Sequence, residues 1–519
     1  MTGATTTTGD VVRGDPGLLR LIDGLLMPGF TGPVLPRWLE DAAAHGLGAV
    51  CCFAGNITST DQVTGLSAAL HDLGGQLLIA SDEEGGDVTR LEAGRGSRFP
   101  SAAALGRVDD VHATEEVARA LAALVRSAGI DLALAPSVDV NAHPDNPVIG
   151  TRSFGADPAL VARHGAAFVR GVQDAGVAAC AKHFPGHGSV DADSHTSLPV
   201  LDADLATLEA RDLVPFDAVV KAGVRTVMTA HIVSPALDAR APATWSSATV
   251  QLLRRRGFGG VLICDALDMA AVAAPRGLGP AAVRALVAGV DLLCLGNPDN
   301  VSSAGDGRSG QDLRQFTEVR RAVMAGVESG QVPVRRLEDA GERVAELASW
   351  CREQRRRPRA AAPGLRHEAV PALSARLAAA ALDVVGEVRL GGRPHVVDLR
   401  TGINHAAGRA APRLLEALRC RAPGTTAGSP LAAGTVPERV AGALSGGSGA
   451  AVVAVVREPH RDPVQAALLA ALLLAAPDAV VVQTGWPDER ARLGTRSVTT
   501  WGSGRAAAEA AADVLLPAP

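Results

Sequence analysis

The chain has 519 residues, of which 47% are hydrophobic and 20% charged, with a formal net charge of −5. That length exceeds what one hydrophobic core usually serves, so two or more domains are expected. Asp and Glu outnumber Lys and Arg and the basic clusters are short, which argues against a nucleic-acid footprint. No uninterrupted apolar run reaches the roughly 18 residues a membrane span needs.

In chain order, residues 1–16 read as a disordered tail, with no basic region followed by an apolar core and hence no secretory signal. Short, β-branched apolar runs follow at 48–53, 76–80, 132–140, 177–181, 226–230, 260–264 and 291–295, with 21–27 as a weaker first member. Helix-period segments at 115–127, 158–175, 205–222 and 280–288 lie between them, the alternation that marks an α/β fold with parallel strands. Polar residues close these runs: Asp82 and Glu83, Asp139 and Asn141, Lys182 and His183, His231, Asp265, and Asn297. Six polar strand ends favour a TIM-type (β/α)8 barrel over residues 17–350, since such barrels collect catalytic residues from several strand ends. An open doubly wound sheet would also alternate, but it gathers ligands mainly at one switch point.

Residues 351–367, rich in Arg, Pro and Ala, read as a linker, with 355–359 on its solvated edge. Residues 368–519 carry further strand-like runs at 395–399, 450–456 and 479–483 between alanine-rich helices, the pattern of a smaller α/β sandwich. The glycines at 446–449 lack the context of a phosphate-binding loop. The seven cysteines are scattered, mostly inside strand-like runs (Cys51, Cys52, Cys180, Cys264, Cys294), and form no C-x-x-C pair. Reduced, buried thiols and a cytoplasmic location are the expectation.

The densest chemistry lies in residues 182–199, KHFPGHGSVDADSHTSLP, which hold three histidines, one lysine and two aspartates. This composition predicts an active-site loop rather than a core element, carried on the strand before it. Asp193 and His195 are two apart, so in extended chain they face the same way. A carboxylate there would fix the imidazole tautomer and leave the other nitrogen to move a proton; a solvated contact on a loop is the alternative. Asp265, after the run GVLIC, is either a turn or cap residue or the carboxylate nucleophile that retaining glycoside hydrolysis pairs with a separate proton donor. Asp82-Glu83-Glu84-Gly85-Gly86, followed by Arg90, suggests a tight turn presenting carboxylates to a polar ligand. A magnesium site lacks a dedicated set of oxygen ligands. Zinc on His183, His187 and His195 lacks helical ligand spacing. A metal site is therefore not expected.

The segments SDEEGGDVTRL from Ser81, LAPSVDVN from Leu134, GTRSFG from Gly150, KHFPGHGSVDADSHTSLP from Lys182, TAHIVSP from Thr229 and GFGGVLICDALDM from Gly257 together resemble family 3 glycoside hydrolases. More narrowly they resemble the β-N-acetylglucosaminidase branch. The resemblance covers roughly residues 20–350, and its most specific element is KHFPGHG…DSH…LP. It implies that Asp265 is the nucleophile, His195 the acid/base and Asp193 its dyad partner. It further implies that Asp82, Arg152, Lys182 and His183 hold a non-reducing N-acetylhexosamine, that Arg90 adds a polar contact, and that His231 and Met269 line the pocket. The chain departs from the family at Ser189-Val190, where Asp-Thr is common, and at Asp265-Ala266, where paired aspartates are common.

The expected activity is retaining, exo-acting hydrolysis of terminal β-linked N-acetylglucosamine from muropeptides or chito-oligosaccharides. An imidazole acid/base does not repel an incoming anion as a carboxylate would, so inorganic phosphate could replace water as acceptor. Phosphorolysis, a catalytically silent sugar-binding protein, and a relaxed β-glucosidase or β-xylosidase stay open as alternatives. Low aromatic content, 3% with no tyrosine, favours short oligosaccharides over stacking on polymeric glycans. The C-terminal domain is expected to be structural or oligomeric.

Overall fold

The computed structural model describes residues 15–74, 76–194, 197–273, 277–300, 310–358, 369–401, 403–404, 408–409, 411–430, 434–491 and 493–517. Residues 1–14 of the expected tail and residues 359–367 of the expected linker lie outside them. Helix Pro16–Asp23 begins where that tail was expected to end, started by Asp15, whose side chain accepts from the Gly17 N–H.

In the N-terminal part, short apolar runs become strands β1 (Leu26–Pro28), β2 (Ala49–Cys52), β3 (Leu78–Ser81), β4 (Leu132–Ala133), β5 (Ala178–Phe184), β6 (Thr226–Thr229), β7 (Val261–Cys264) and β8 (Leu293–Gly296). Strands β2 to β7 form one parallel sheet in sequence order, and β1 pairs in parallel with β8. Residues Ile263 and Leu292 make a further parallel bridge between β7 and the approach to β8. These strands are buried throughout, which explains why they read as continuous apolar runs rather than alternating ones.

Three expectations change. The run at 132–140 is strand only over its first two residues, because Pro136 has no N–H to give a ladder. The helix expected at 205–222 is two helices, Leu205–Ala210 and Val214–Lys221, with Pro215 in the first turn of the second, the position a proline tolerates. The weak run at 21–27 is divided between the end of the first helix, a turn at 24–25 and the start of β1, and strand starts only at Leu26.

Helix Val334–Arg356 continues through the first six residues of the expected linker. Arg355, expected on a solvated edge, instead pairs with the buried carboxylate of Asp131. Beyond it, β9 (Asp383–Val385), β10 (His395–Asp398), β11 (Thr426–Gly428), β12 (Val452–Val456), β13 (Val480–Gln483) and β14 (Ser497–Thr499) form a second sheet in the order β9-β14-β13-β12-β10-β11. All its pairings are parallel except β9 with β14. Its strands alternate: Val453 and Val455 pack toward helices Arg413–Arg421 and Arg505–Leu515, while Ala454 and Val456 pack toward Val436–Leu444 and Pro463–Ala475. The period of two thus sends successive residues into two cores, one per face. The whole is an α/β protein. All seven cysteines are free and all but Cys420 are buried. Among the described residues, no helix is long and apolar enough to cross a membrane.

Candidate active site

A cavity of about 290 Å³ opens at the C-terminal ends of the first sheet's strands, at the small end of the range for ligand sites, about 300–1,000 Å³. Its wall includes Asp82, Arg90, Arg152, Lys182, His183, Asp265 and Met269. Seven of the residues singled out from the sequence therefore meet in one place.

Lys182 and His183 were expected on a loop; they belong to β5 and are buried. The register between β5 and β6 shifts between Ala181 and Phe184, the kind of irregularity that re-aims side chains near active sites. Lys182 Nζ lies 2.9 Å from Asp82 Oδ1 and 2.7 Å from Glu84 Oε1. Arg152, at the end of a single 3-10 turn, Gly150–Arg152, donates from Nε to Glu84 Oε2 at 2.9 Å and from a terminal nitrogen to Oε1 at 2.7 Å. Arg90 donates to Asp82 Oδ2 at 3.3 Å. Burial would raise both carboxyls, but Lys182 with Arg90 holds Asp82 well below the usual carboxylate range, and Arg152 with Lys182 holds Glu84 at about 2. Two anions and three cations are thus fixed in a buried network whose edges face the cavity, a surface suited to a ligand with several hydroxyl groups.

Asp139 anchors the start of the histidine-rich segment. Its Oδ2 accepts from His183 Nδ1 at 2.7 Å, and its Oδ1 accepts from the backbone N–H of His183 at 3.1 Å and of His187 at 2.6 Å. Burial, opposed by the attraction of His183, leaves the Asp139 carboxyl below its ordinary value. With Nδ1 engaged, His183 Nε2 accepts from Arg152 at 3.4 Å, which fixes the ring's tautomer and orientation. His187 is buried, its ring packed edge-on to His183 at 5.7 Å, with Nε2 2.9 Å from Ser194 Oγ. Burial, and then His183, pull its pKa down to about 4, so it is a neutral hydrogen-bonding group near neutral pH. Ser194 itself lines the cavity. Asp193 precedes it, with its carbonyl accepting from the Ser197 N–H at 2.9 Å. His195 lies outside the described residues.

Asp265 follows β7 directly. Its backbone N–H donates to Thr229 at 3.1 Å, continuing the ladder to β6, and its Oδ1 accepts from the Ala266 N–H at 2.8 Å. The strand end therefore sets both its position and its rotamer. His231 stands behind the wall rather than on it: it is fully buried, with Nδ1 2.8 Å from Thr244 Oγ1 and Nε2 3.0 Å from the Ala266 carbonyl. It supports the turn that carries Asp265. Glu84, Asp139 and His187 have larger parts than the sequence assigned them. The signal for Glu84 was present, since two inward-facing cations, Arg152 and Lys182, require more than the single carboxylate of Asp82. Among the described residues, no group of three His, Cys, Asp or Glu side chains converges as a metal site would.

The sequence model of the glycosyl hydrolase family 3 N-terminal domain matches residues 36–347. Beta-hexosaminidase A of Pseudoalteromonas piscicida is 34% identical over 336 residues, covering 60% of this chain and 55% of that protein. A beta-hexosaminidase of Xylella fastidiosa strain M23 is 39% identical over 293 residues, covering 54% of this chain and 85% of that one. The chain thus spans little more than half the length of the first of these relatives. Among solved structures, a family 3 beta-N-acetylglucosaminidase from Paenibacillus sp. str. FPU-7 superposes with a TM-score of 0.82 at 31% identity, covering 96% of each chain. A beta-glucoside phosphorylase shares the fold at a TM-score of 0.73 with 18% identity. With the family's domain covering residues 36–347 and a whole-chain structural relative at 31% identity, this chain belongs to glycoside hydrolase family 3.

Proposed function

We propose that the chain is a retaining, exo-acting β-N-acetylglucosaminidase that removes terminal β-linked N-acetylglucosamine from muropeptides or chito-oligosaccharides, in a reducing cytoplasm and without metal or organic cofactor. The observation that carries this reading is the convergence of Asp82, Glu84, Arg152 and Lys182 with Asp265 on one small cavity. A cavity of about 290 Å³ suits one terminal sugar better than an extended glycan. The bridge between Ile263 and Leu292 and the pairing of β1 with β8 support reading the eight strands as one closed barrel, and the helices on both faces of the second sheet support a separate α/β sandwich.

In the proposed reaction an Asp265 carboxylate oxygen attacks the anomeric carbon while the glycosidic C–O bond breaks, and His195, protonated and oriented by Asp193, gives its proton to the departing oxygen. His195 then takes a proton from water, whose oxygen displaces Asp265 and restores the configuration of the sugar. Water is favoured over phosphate as acceptor because Arg90, Arg152 and Lys182 are each already held by Asp82 or Glu84.

An aryl N-acetyl-β-glucosaminide assay tests this. The parent chain should release the β anomer of N-acetylglucosamine, and Asp265→Asn should lower kcat by roughly 10³-fold or more. Accumulation of N-acetylglucosamine 1-phosphate on adding phosphate would replace hydrolysis with phosphorolysis. Sugar binding with no aryl release from the parent would leave only a binding protein.

A further inference from the structure

Among the described residues, every one that lines the cavity falls between Cys51 and Asn297, so none of the described residues of the C-terminal part lines it. That part nevertheless grips the loops that do. Asp87 lies in the loop after β3, between the cavity residues Glu84 and Arg90, and its side chain is only 3% exposed. Its Oδ1 accepts from the backbone N–H of Ser503 at 2.6 Å and from Ser503 Oγ at 2.8 Å. Its Oδ2 accepts from Thr151 Oγ1 at 2.9 Å, with the Arg457 guanidinium 3.6 Å away. One buried carboxylate therefore joins the loop carrying Asp82, Glu84 and Arg90, the turn carrying Arg152, and two loops of the C-terminal sheet.

The approach around this carboxylate is as close as backbones allow. A Cβ on Gly504 would meet the Gly86 carbonyl at 2.8 Å, and one on Gly150 would meet Glu458 Oε1 at 3.2 Å. Trp501, two residues before Ser503, has φ +54°, a conformation that costs a bulky residue about 1–3 kcal/mol and persists only where surrounding contacts impose it. Here the Trp501 carbonyl accepts from Ser101 Oγ and its indole donates to Asp383 at 2.8 Å. A second tie reaches the other side of the cavity. Arg490 forms a two-pronged pair with Asp145 at 2.6 and 3.1 Å. The neighbouring Asn146 holds the carbonyls of His187 and Val190 at 2.7 and 2.9 Å.

We propose that the C-terminal part is a positioning element for the sugar site, with Asp87 as the residue through which it holds the substrate-binding loops in register. Asp87 is a positioning residue, not a catalytic one: it is not itself among the residues lining the cavity, but it fixes the backbone from which Glu84, Arg90 and Arg152 reach the ligand. The inference rests on the proposed sugar site and goes beyond it.

The test uses the full-length chain with Asp87→Ala, the milder Ser503→Ala, and Arg107→Ala. The last removes the Arg107–Asp383 pair, 2.7 Å, which joins the same two parts but leaves Asp383 bonded to the Trp501 indole and every contact of Asp87 in place. For the aryl N-acetyl-β-glucosaminide, Asp87→Ala should raise KM about tenfold and Ser503→Ala about two- to threefold, with kcat within about twofold and its pH profile unmoved. Arg107→Ala should leave KM at the parent value. Amide hydrogen exchange should quicken across residues 82–93 in Asp87→Ala but not in Arg107→Ala. Parent-like KM and exchange in folded Asp87→Ala and Ser503→Ala would overturn the proposal, as would an equal rise in KM from Arg107→Ala. Should the parent fail to cleave the aryl substrate, the sugar assignment falls, while the exchange comparison still decides whether Asp87 holds the loop.

Discussion

At the scale of single residues, the cavity depends on keeping buried charges paired. Lys182 is shared by Asp82 and Glu84, and removing one partner from such a cluster costs about 3–5 kcal/mol because the remaining charges stay buried. Because the folded pKa of Glu84 is depressed from 4.5 to about 2, its contribution to stability is complete above about pH 4.5. It is lost as pH falls toward 2. Lys182→Met should therefore move the acid unfolding midpoint to higher pH, read by circular dichroism, and raise KM. Glu83 has the opposite sign. It is fully buried, with Oε2 accepting the N–H groups of Arg90 and Leu91 at 2.9 and 3.0 Å, and burial raises its pKa from 4.5 to about 7. The stability tied to its proton is present below about pH 4.5 and is lost as pH rises through 7. Glu83→Gln keeps an acceptor oxygen without the charge, so its Tm should match the parent at pH 5 and exceed it at pH 8, by up to about 3 kcal/mol of stability. Equal Tm differences at both pH values would contradict this.

At the scale of elements, the site is a junction between the end of β5 and the irregular segment after β4. Gly188 shows how tight it is: a Cβ there would lie 2.0 Å from the Val140 carbonyl. Gly188→Ala must displace either the segment leading to Asp193 or the backbone beside Asp139, and a misplacement of about 1 Å can cost 10²-fold in rate. We expect a kcat loss of that order with folding preserved, checked by kinetics alongside near-ultraviolet circular dichroism. Strand β5 also shows what was legible locally. The apolar run before Lys182 announced a strand, but its continuation through Lys182 and His183 was hidden, because the partners that allow those polar side chains to be buried, Asp82, Glu84 and Asp139, come from other strands. The helix break near 211–213 was readable from Pro215, and the early end of β4 from Pro136.

At the scale of the whole molecule, the two ends of the first sheet divide labour. Asp291, just before β8, is fully buried, accepts from the Leu262 N–H at 2.9 Å, and is paired with Arg254, Arg336 and Arg343 from surrounding helices. It sits at the end opposite Asn297, which follows β8 and lines the cavity. Asp291→Ala should therefore cost about 3–5 kcal/mol, seen as a lowered Tm, while KM stays at the parent value; a large change in KM would show that the two ends are not independent.

The sequence by itself determined the alternation of strands and helices, the order of the polar strand ends, and the family, because periodicity and motif are local properties of the chain. Only the tertiary structure decided which polar residues share a cavity, that His231 supports the wall rather than forming it, that Arg355 answers a buried aspartate, and that Asp87 ties the C-terminal part to the cavity loops. Each of these rests on a pairing between residues far apart in sequence. Such pairs are fixed by the need to neutralise charge and satisfy hydrogen bonds once water has been excluded, a condition that exists only after the chain has folded.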